Sequence, residues 1–139
     1  MSKLKSIIFI FASLFIGLLT YILFRPIPQW NAMFFFGRLD IESTTAIIVL
    51  SHNPISKFIM FHLADILWAL ALAETIYVIK RNLLLATILP FVLTILFELA
   101  QYFDVIFGTG DILDVIFVGI SLGVYYLARS GNRGKRKFE

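Results

Sequence analysis

Cysteine is missing altogether from this chain of 139 residues, and charge is scarce. Without thiols there is no disulfide, no thiolate nucleophile and no cysteine-held metal. Only 15% of residues are charged and 60% are hydrophobic, whereas a soluble domain is roughly 45–50% apolar. Mean hydropathy is +0.91. That leaves too little polar surface to cover a globule in water, so the chain is expected to be solvated by lipid. Also missing are a glycine-rich phosphate loop, a serine nucleophile elbow and a zinc-type histidine spacing. The formal net charge of +3 does not mark a nucleic-acid binder, because the cations gather at segment ends and in the tail, where membrane topology places them. The length fits one domain.

What is present is a set of long apolar runs. Crossing hydrocarbon takes roughly 20 such residues. Four runs qualify, at about 6–24, 58–79, 83–103 and 112–128, followed by a basic tail, 129–139. The first resembles a signal peptide, but it exceeds the usual apolar length and ends in Phe24-Arg25-Pro26 rather than a small-residue cleavage site. It therefore reads as a retained helix. The fold class expected is all-α: a polytopic bundle of four transmembrane helices forming a single membrane domain over 1–139. Pro90 falls mid-way along the third run and is expected to kink it. The turn Lys80-Arg81-Asn82 makes the second and third helices an antiparallel hairpin. Segment 25–57 carries Trp30 and two short apolar stretches, too short to span, and is expected to lie at the interface or re-enter as a lid.

Orientation follows from lysine and arginine. With the N-terminus inside, Lys3, Lys5, Lys80, Arg81, Arg129, Arg133, Lys135, Arg136 and Lys137 all lie inside. Arg25, Arg38 and Lys57 lie outside, so the bias is positive-inside with both termini cytoplasmic.

This orientation puts six polar residues from three helices in one outer layer. His62 and Asp65 begin the second helix, Glu98 and Gln101 end the third, and Asp111 and Asp114 open the fourth. Each is an i,i+3 pair sharing a helix face. Ionisable groups in hydrocarbon turn to the bundle interior or a wet cavity, so the six are expected to line one polar pocket opening outward. Simpler roles compete with this. Asp111 and Asp114 can cap the fourth helix, Gln101 can be an interhelical hydrogen-bond residue, and His62 can be structural or a base oriented by Asp65. Glu98, inside an apolar run, is hardest to explain without a site. Asp104 and His52 read as solvated. Glu74 lies on the opposite face from Asp65 and roughly 13 Å deeper; its expected role is a structural contact with Lys80 or Arg81. Gly119, Ser121 and Gly123 are expected to allow close helix approach.

Glu98-Leu-Ala-Gln101, a short loop, and Gly110-Asp111-Ile-Leu-Asp114-Val115 entering a glycine-bearing helix resemble the VanZ-like family of bacterial membrane proteins. The likeness covers roughly 58–127. Phe61-His62-Leu63-Ala64-Asp65 is a loose echo, in reversed order, of a segment that opens an earlier helix in the family. Two departures stand out. Val118 replaces an asparagine common in the family, and Gly108-Thr109-Gly110 stands where an arginine is common. The resemblance implies a cell-envelope role in the bacterial cytoplasmic membrane, with a link to glycopeptide resistance, and supplies no reaction.

Three functions follow as expectations. The first is an envelope protein whose pocket binds a lipid head group, a lipid-linked cell-wall precursor or a glycopeptide, with Glu98, Asp111 and Asp114 accepting hydrogen bonds and Gln101 orienting the ligand. The second is an intramembrane enzyme acting on a lipid-linked substrate. The third is a proton- or cation-coupled transporter. Membrane lipids are the expected partners, and nucleic acid is not. No cofactor is expected, beyond a divalent cation on the oxygen ligands. Reporters fused at Lys80-Arg81 and at the C-terminus should read cytoplasm, and one within 25–57 should read outside. An outside signal from the tail would overturn the four-helix topology.

Overall fold

The computed structural model describes residues 3–24, 58–106 and 110–135. The segment expected at the interface, 25–57, with Trp30 and His52, lies outside the described residues, as do 107–109 and 136–139. The described chain is helical, with no strand among its residues. Helix α1 is Lys3–Phe24. A π-helical turn, Ile59–Leu63, leads into α2, Ala64–Lys80. Helix α3 is Leu83–Tyr102 and α4 is Ile112–Lys135. All four helices are long and apolar enough to cross a membrane, over Lys3–Thr20, Phe61–Lys80, Leu83–Tyr102 and Ile112–Gly131.

The outward surface agrees with a lipid solvent. Phe11, Phe15, Phe97, Ile120 and Leu127 are all well exposed on the helix sides. Apolar surface on this scale does not persist in water. The interior is made instead of small residues. Ser6, Ser13, Gly17 and Thr20 form the buried side of α1, and Ala64, Ala69, Ala71 and Ala73 are buried on α2. Helices in lipid gain no hydrophobic drive from meeting one another, so close backbone approach through small side chains replaces it. Gly17 sits so close to the Trp68 indole that a Cβ would overlap it.

Helix α2 is the hub. It packs against α1, α3 and α4, while α1 makes its substantial contacts with α2 and the π turn. The α2–α3 hairpin is tight, as its sequence implies. Arg81 ends α2 in the left-handed region at φ 55°, its N–H donating to the Tyr77 carbonyl at 3.0 Å. Asn82 then caps α3, its side chain accepting from the Leu85 N–H at 3.1 Å. Helix α3 continues through Pro90, which is itself buried.

Helix α4 presents one stripe to α2: Asp114, Val118, Leu122, Tyr125 and Arg129, spaced at helical intervals. Its middle joins Ile66, Ala69, Ala73 and Leu83 in the apolar core. Two expectations are corrected along this stripe. The fourth helix does not end near 128 but runs on into the basic segment, to Lys135. Glu74, fully buried, pairs with Arg129 rather than Lys80 or Arg81. Tyr125 donates its hydroxyl to the second oxygen of the same carboxylate at 2.7 Å, and the guanidinium lies over the rings of Tyr77 and Tyr125, at 5.0 and 5.7 Å. The reason is depth. Lys80 lies roughly 9 Å further along α2 at 1.5 Å per residue, whereas Arg129 crosses from α4 at the level of Glu74.

The small residues of α4 are corrected in part. A Cβ on Gly119 would stand 3.0 Å from the Phe91 ring, a close approach as expected, but one on Gly123 would meet nothing within 4 Å. Gly123 instead borders a groove of about 460 Å³ between α3 and α4, lined by Leu84, Ile88, Phe91, Leu122 and Tyr126 among others.

The Glu74–Arg129 pair makes a clear prediction. Arg129→Met strands a buried carboxylate and should cost about 3–5 kcal/mol, the usual loss when one partner of a buried pair is removed. The double variant Glu74→Leu/Arg129→Met should recover most of that loss in denaturant titrations of the detergent-solubilised protein. A double variant no more stable than the single one would show that the pair does not hold α4 to α2.

Candidate functional site

The start of α2, the end of α3 and the start of α4 meet at one end of the bundle. His62 lies in the π turn, whose wider coil changes the angular phase of the residues entering α2. Its ring sits in an aromatic slot, 4.9 Å from Phe117 and 5.7 Å from Phe58, with Phe58 and Phe117 edge to face at 4.9 Å. The slot aims the imidazole at α4, where Nδ1 lies 2.6 Å from Asp114 Oδ1. An ionised carboxylate only accepts, so Nδ1–H is the donor. As residues, both are more than nine-tenths buried.

This corrects the expected pairing of His62 with Asp65. Residues three apart on one helix lie side by side, but the π turn breaks that phase and α4 offers Asp114 directly across the interface. Asp65, one turn on, is half-buried. It lies close enough to Glu98 for its charge to act there, as do Asp111 and Asp114.

Asp111 is the N-cap of α4. Its Oδ1 accepts from the Leu113 N–H at 2.9 Å, and its carbonyl accepts from the Asp114 N–H at 3.1 Å. The capping role weighed from the sequence is therefore real, and it coexists with a place in the cluster. His62, Asp111 and Asp114 each offer a metal-ligating atom, all within 4.8 Å of one another.

Glu98 has a definite partner. Its Oε2 accepts from the Asp111 N–H at 2.7 Å, tying the returning loop to α3. The loop gets there through a Schellman cap: Asp104 adopts the left-handed φ of 55°, its N–H donates to Gln101 O, and the Val105 N–H donates to Ala100 O at 2.8 Å. Asp104 is exposed, as expected, but it also occupies the position that reverses the chain. The Gln101 side chain is half-buried and makes no hydrogen bond among the described residues. Val118, where the resemblance leads one to look for asparagine, is fully buried in the apolar core.

Glu98, Asp111 and Asp114 thus each engage one carboxylate oxygen in a protein hydrogen bond, and the second oxygen of each makes none among the described residues. That geometry fixes the carboxylates while leaving acceptors for a ligand. Sequence reasoning missed Phe58 and Phe117, which aim the histidine, and Tyr77, Tyr125 and Arg129, which surround Glu74. The signal for the last three was present: Tyr125 and Arg129 are four apart, and Glu74 and Tyr77 three, each pair on one helix face. No family model, curated protein or solved structure matches the chain.

Gly110 tests the architecture. A Cβ there would stand 2.8 Å from Glu98 O and 2.9 Å from Tyr102 N, both backbone atoms that cannot swing aside. Gly110→Ala should lift the loop from α3, cost about 1–3 kcal/mol as overpacking does, and speed amide exchange at Asp111 at least tenfold. Unchanged exchange there would mean that the Glu98–Asp111 tie does not depend on close approach.

Proposed function

We propose that the chain is a multi-pass membrane protein of VanZ-like type in the bacterial cytoplasmic membrane. Both termini face the cytoplasm, and the outward-facing pocket binds the polar head of a membrane-anchored ligand. That ligand is a lipid head group, a lipid-linked cell-wall precursor or a glycopeptide. The observation carrying this reading is the convergence of His62, Asp111 and Asp114, with Glu98 behind them, at one end of the bundle. Fixed carboxylates with unengaged oxygens, at the depth where α2 and α4 enter the membrane, suit a head group rather than an acyl chain.

A transporter is disfavoured. The middle of the bundle is filled by Ile66, Ala69, Ala73, Val118 and Leu122, and its other end is closed by Glu74 and Arg129. The intramembrane enzyme remains the second reading because of one feature. A histidine whose Nδ1–H is held by a buried aspartate is an oriented base, with Nε2 as its free nitrogen. Under that reading, His62→Gln abolishes turnover while head-group retention persists.

The pocket is tested in nanodiscs of phosphatidylcholine doped in turn with phosphatidylglycerol, phosphatidylethanolamine or a polyprenyl phosphate. The wild type should enrich at least one dopant tenfold, and Asp114→Asn should enrich none. Glu98→Gln keeps an acceptor for the Asp111 N–H and removes the charge. It should assemble at normal abundance yet lose at least tenfold in retention and in glycopeptide tolerance. Full retention and tolerance in Glu98→Gln, or equal enrichment by Asp114→Asn, would refute the pocket as the ligand site.

A further inference from the structure

We infer that His62, Asp111 and Asp114 bind one divalent transition-metal cation, Zn²⁺ more tightly than Mn²⁺, and that this ion links the pocket to an anionic head group. The second clause rests on the pocket reading above; the first stands without it.

Three observations carry the ion. The donors are a mixed set, one imidazole and two carboxylates, with ligand atoms within 4.8 Å of one another. Donor atoms on one tetrahedral zinc lie roughly 3.3 Å apart, from zinc–nitrogen and zinc–oxygen distances near 2.0 Å, so the ion takes the place of the Nδ1 proton as the 2.6 Å His62–Asp114 contact opens and Asp111 closes in. Next, His62 and Asp114 are each more than nine-tenths buried as residues, at the point where Asp111 also converges. Buried ionisable groups are ordinarily paired or coordinate a metal, and imidazole and carboxylate are both metal ligands.

Charge is the third. Asp111 and Asp114 set two carboxylates beside His62, with the Glu98 carboxylate also close. Among the described residues, the one basic group in contact with Asp114 is His62. A divalent ion neutralises that pair of carboxylates where an uncompensated charge is costly. It also converts an acidic pocket, which repels phosphate, into one that accepts it. The imidazole selects the metal. Mg²⁺ and Ca²⁺ prefer all-oxygen shells, whereas zinc and its neighbours take nitrogen with oxygen. The Irving–Williams order then places Zn²⁺ above Mn²⁺. One support matches those of metal sites: the Leu113 N–H holds one oxygen of the Asp111 carboxylate.

The test uses the full chain, purified in detergent, stripped with chelator and titrated with Zn²⁺, Mn²⁺, Mg²⁺ or Ca²⁺ by calorimetry. One Zn²⁺ per chain is expected at micromolar affinity or better, with Mn²⁺ at least tenfold weaker and no resolved heat from Mg²⁺ or Ca²⁺. His62→Gln and Asp114→Asn should each weaken Zn²⁺ at least tenfold, and Asp104→Asn, in the exposed cap, should leave it within twofold. Zinc-edge absorption of the loaded wild type should show a single imidazole among oxygen ligands, a readout that holds even where a variant fails to fold. Sub-stoichiometric zinc, an edge spectrum without imidazole, or unchanged affinity in a folded His62→Gln would overturn the site. In the nanodisc assay, chelator should abolish retention of the anionic dopants. Retention indifferent to chelator refutes the bridging ion and leaves the pocket reading intact. Stoichiometric zinc without any head-group retention defeats the pocket reading and leaves the metal site standing.

Discussion

A charge inside hydrocarbon must find its counter-charge within the protein, because lipid offers none and isolation costs several kcal/mol. Helix α4 meets that constraint twice with a single stripe. At its start Asp114 meets His62, and fifteen residues on Arg129 meets Glu74. Between them Val118, Leu122 and Tyr125 pack on the alanines of α2. The two polar contacts bracket an apolar interface and set its register, since sliding α4 by a turn would strand both carboxylates at once. The alanines and α1 serine and glycine positions follow from the same requirement, because only small side chains bring backbones close enough for these contacts.

The two ends differ in how completely they are satisfied. At the Arg129 end, one carboxylate receives a guanidinium and a phenol, and two aromatic rings cover the cation. The contacts close on themselves, which suits a structural tie. At the Asp114 end, two carboxylates gather with one imidazole and Glu98 lies behind them, and each carboxylate leaves an oxygen without a partner among the described residues. The loop geometry maintains this excess of acceptors: Asp104 turns the chain, Gly110 allows contact with α3, and Glu98 holds the Asp111 amide. The proposed pocket rests on this contrast between a closed cluster and an incomplete one.

Much of this was legible in the sequence. Apolar length and helix punctuation were enough to find four helices and the hairpin at Arg81-Asn82. Antiparallel geometry pointed to the meeting of His62, Glu98, Asp111 and Asp114 at one end of the bundle. The capping role of Asp111 was readable from its position ahead of an apolar run. The pairing of His62 was not, because helical spacing favoured Asp65 and nothing in the letters announces a π turn. Glu74 was matched to the nearest cations in sequence, although its partner lies 55 residues away on α4.

Length and hydropathy alone marked the four described helices that are long and apolar enough to cross a membrane, and placed most of their polar groups toward the helix ends. Length and hydropathy act locally, and depth follows from counting residues along a helix at fixed rise. Only the tertiary structure decided which polar group faces which. That choice depends on helix rotation and crossing, which are set by distant small-residue contacts and by the phase change in the π turn. His62 and Asp114, or Glu74 and Arg129, become partners only once α4 is laid against α2, since a charge is satisfied by what is near in space and not by what is near in the chain.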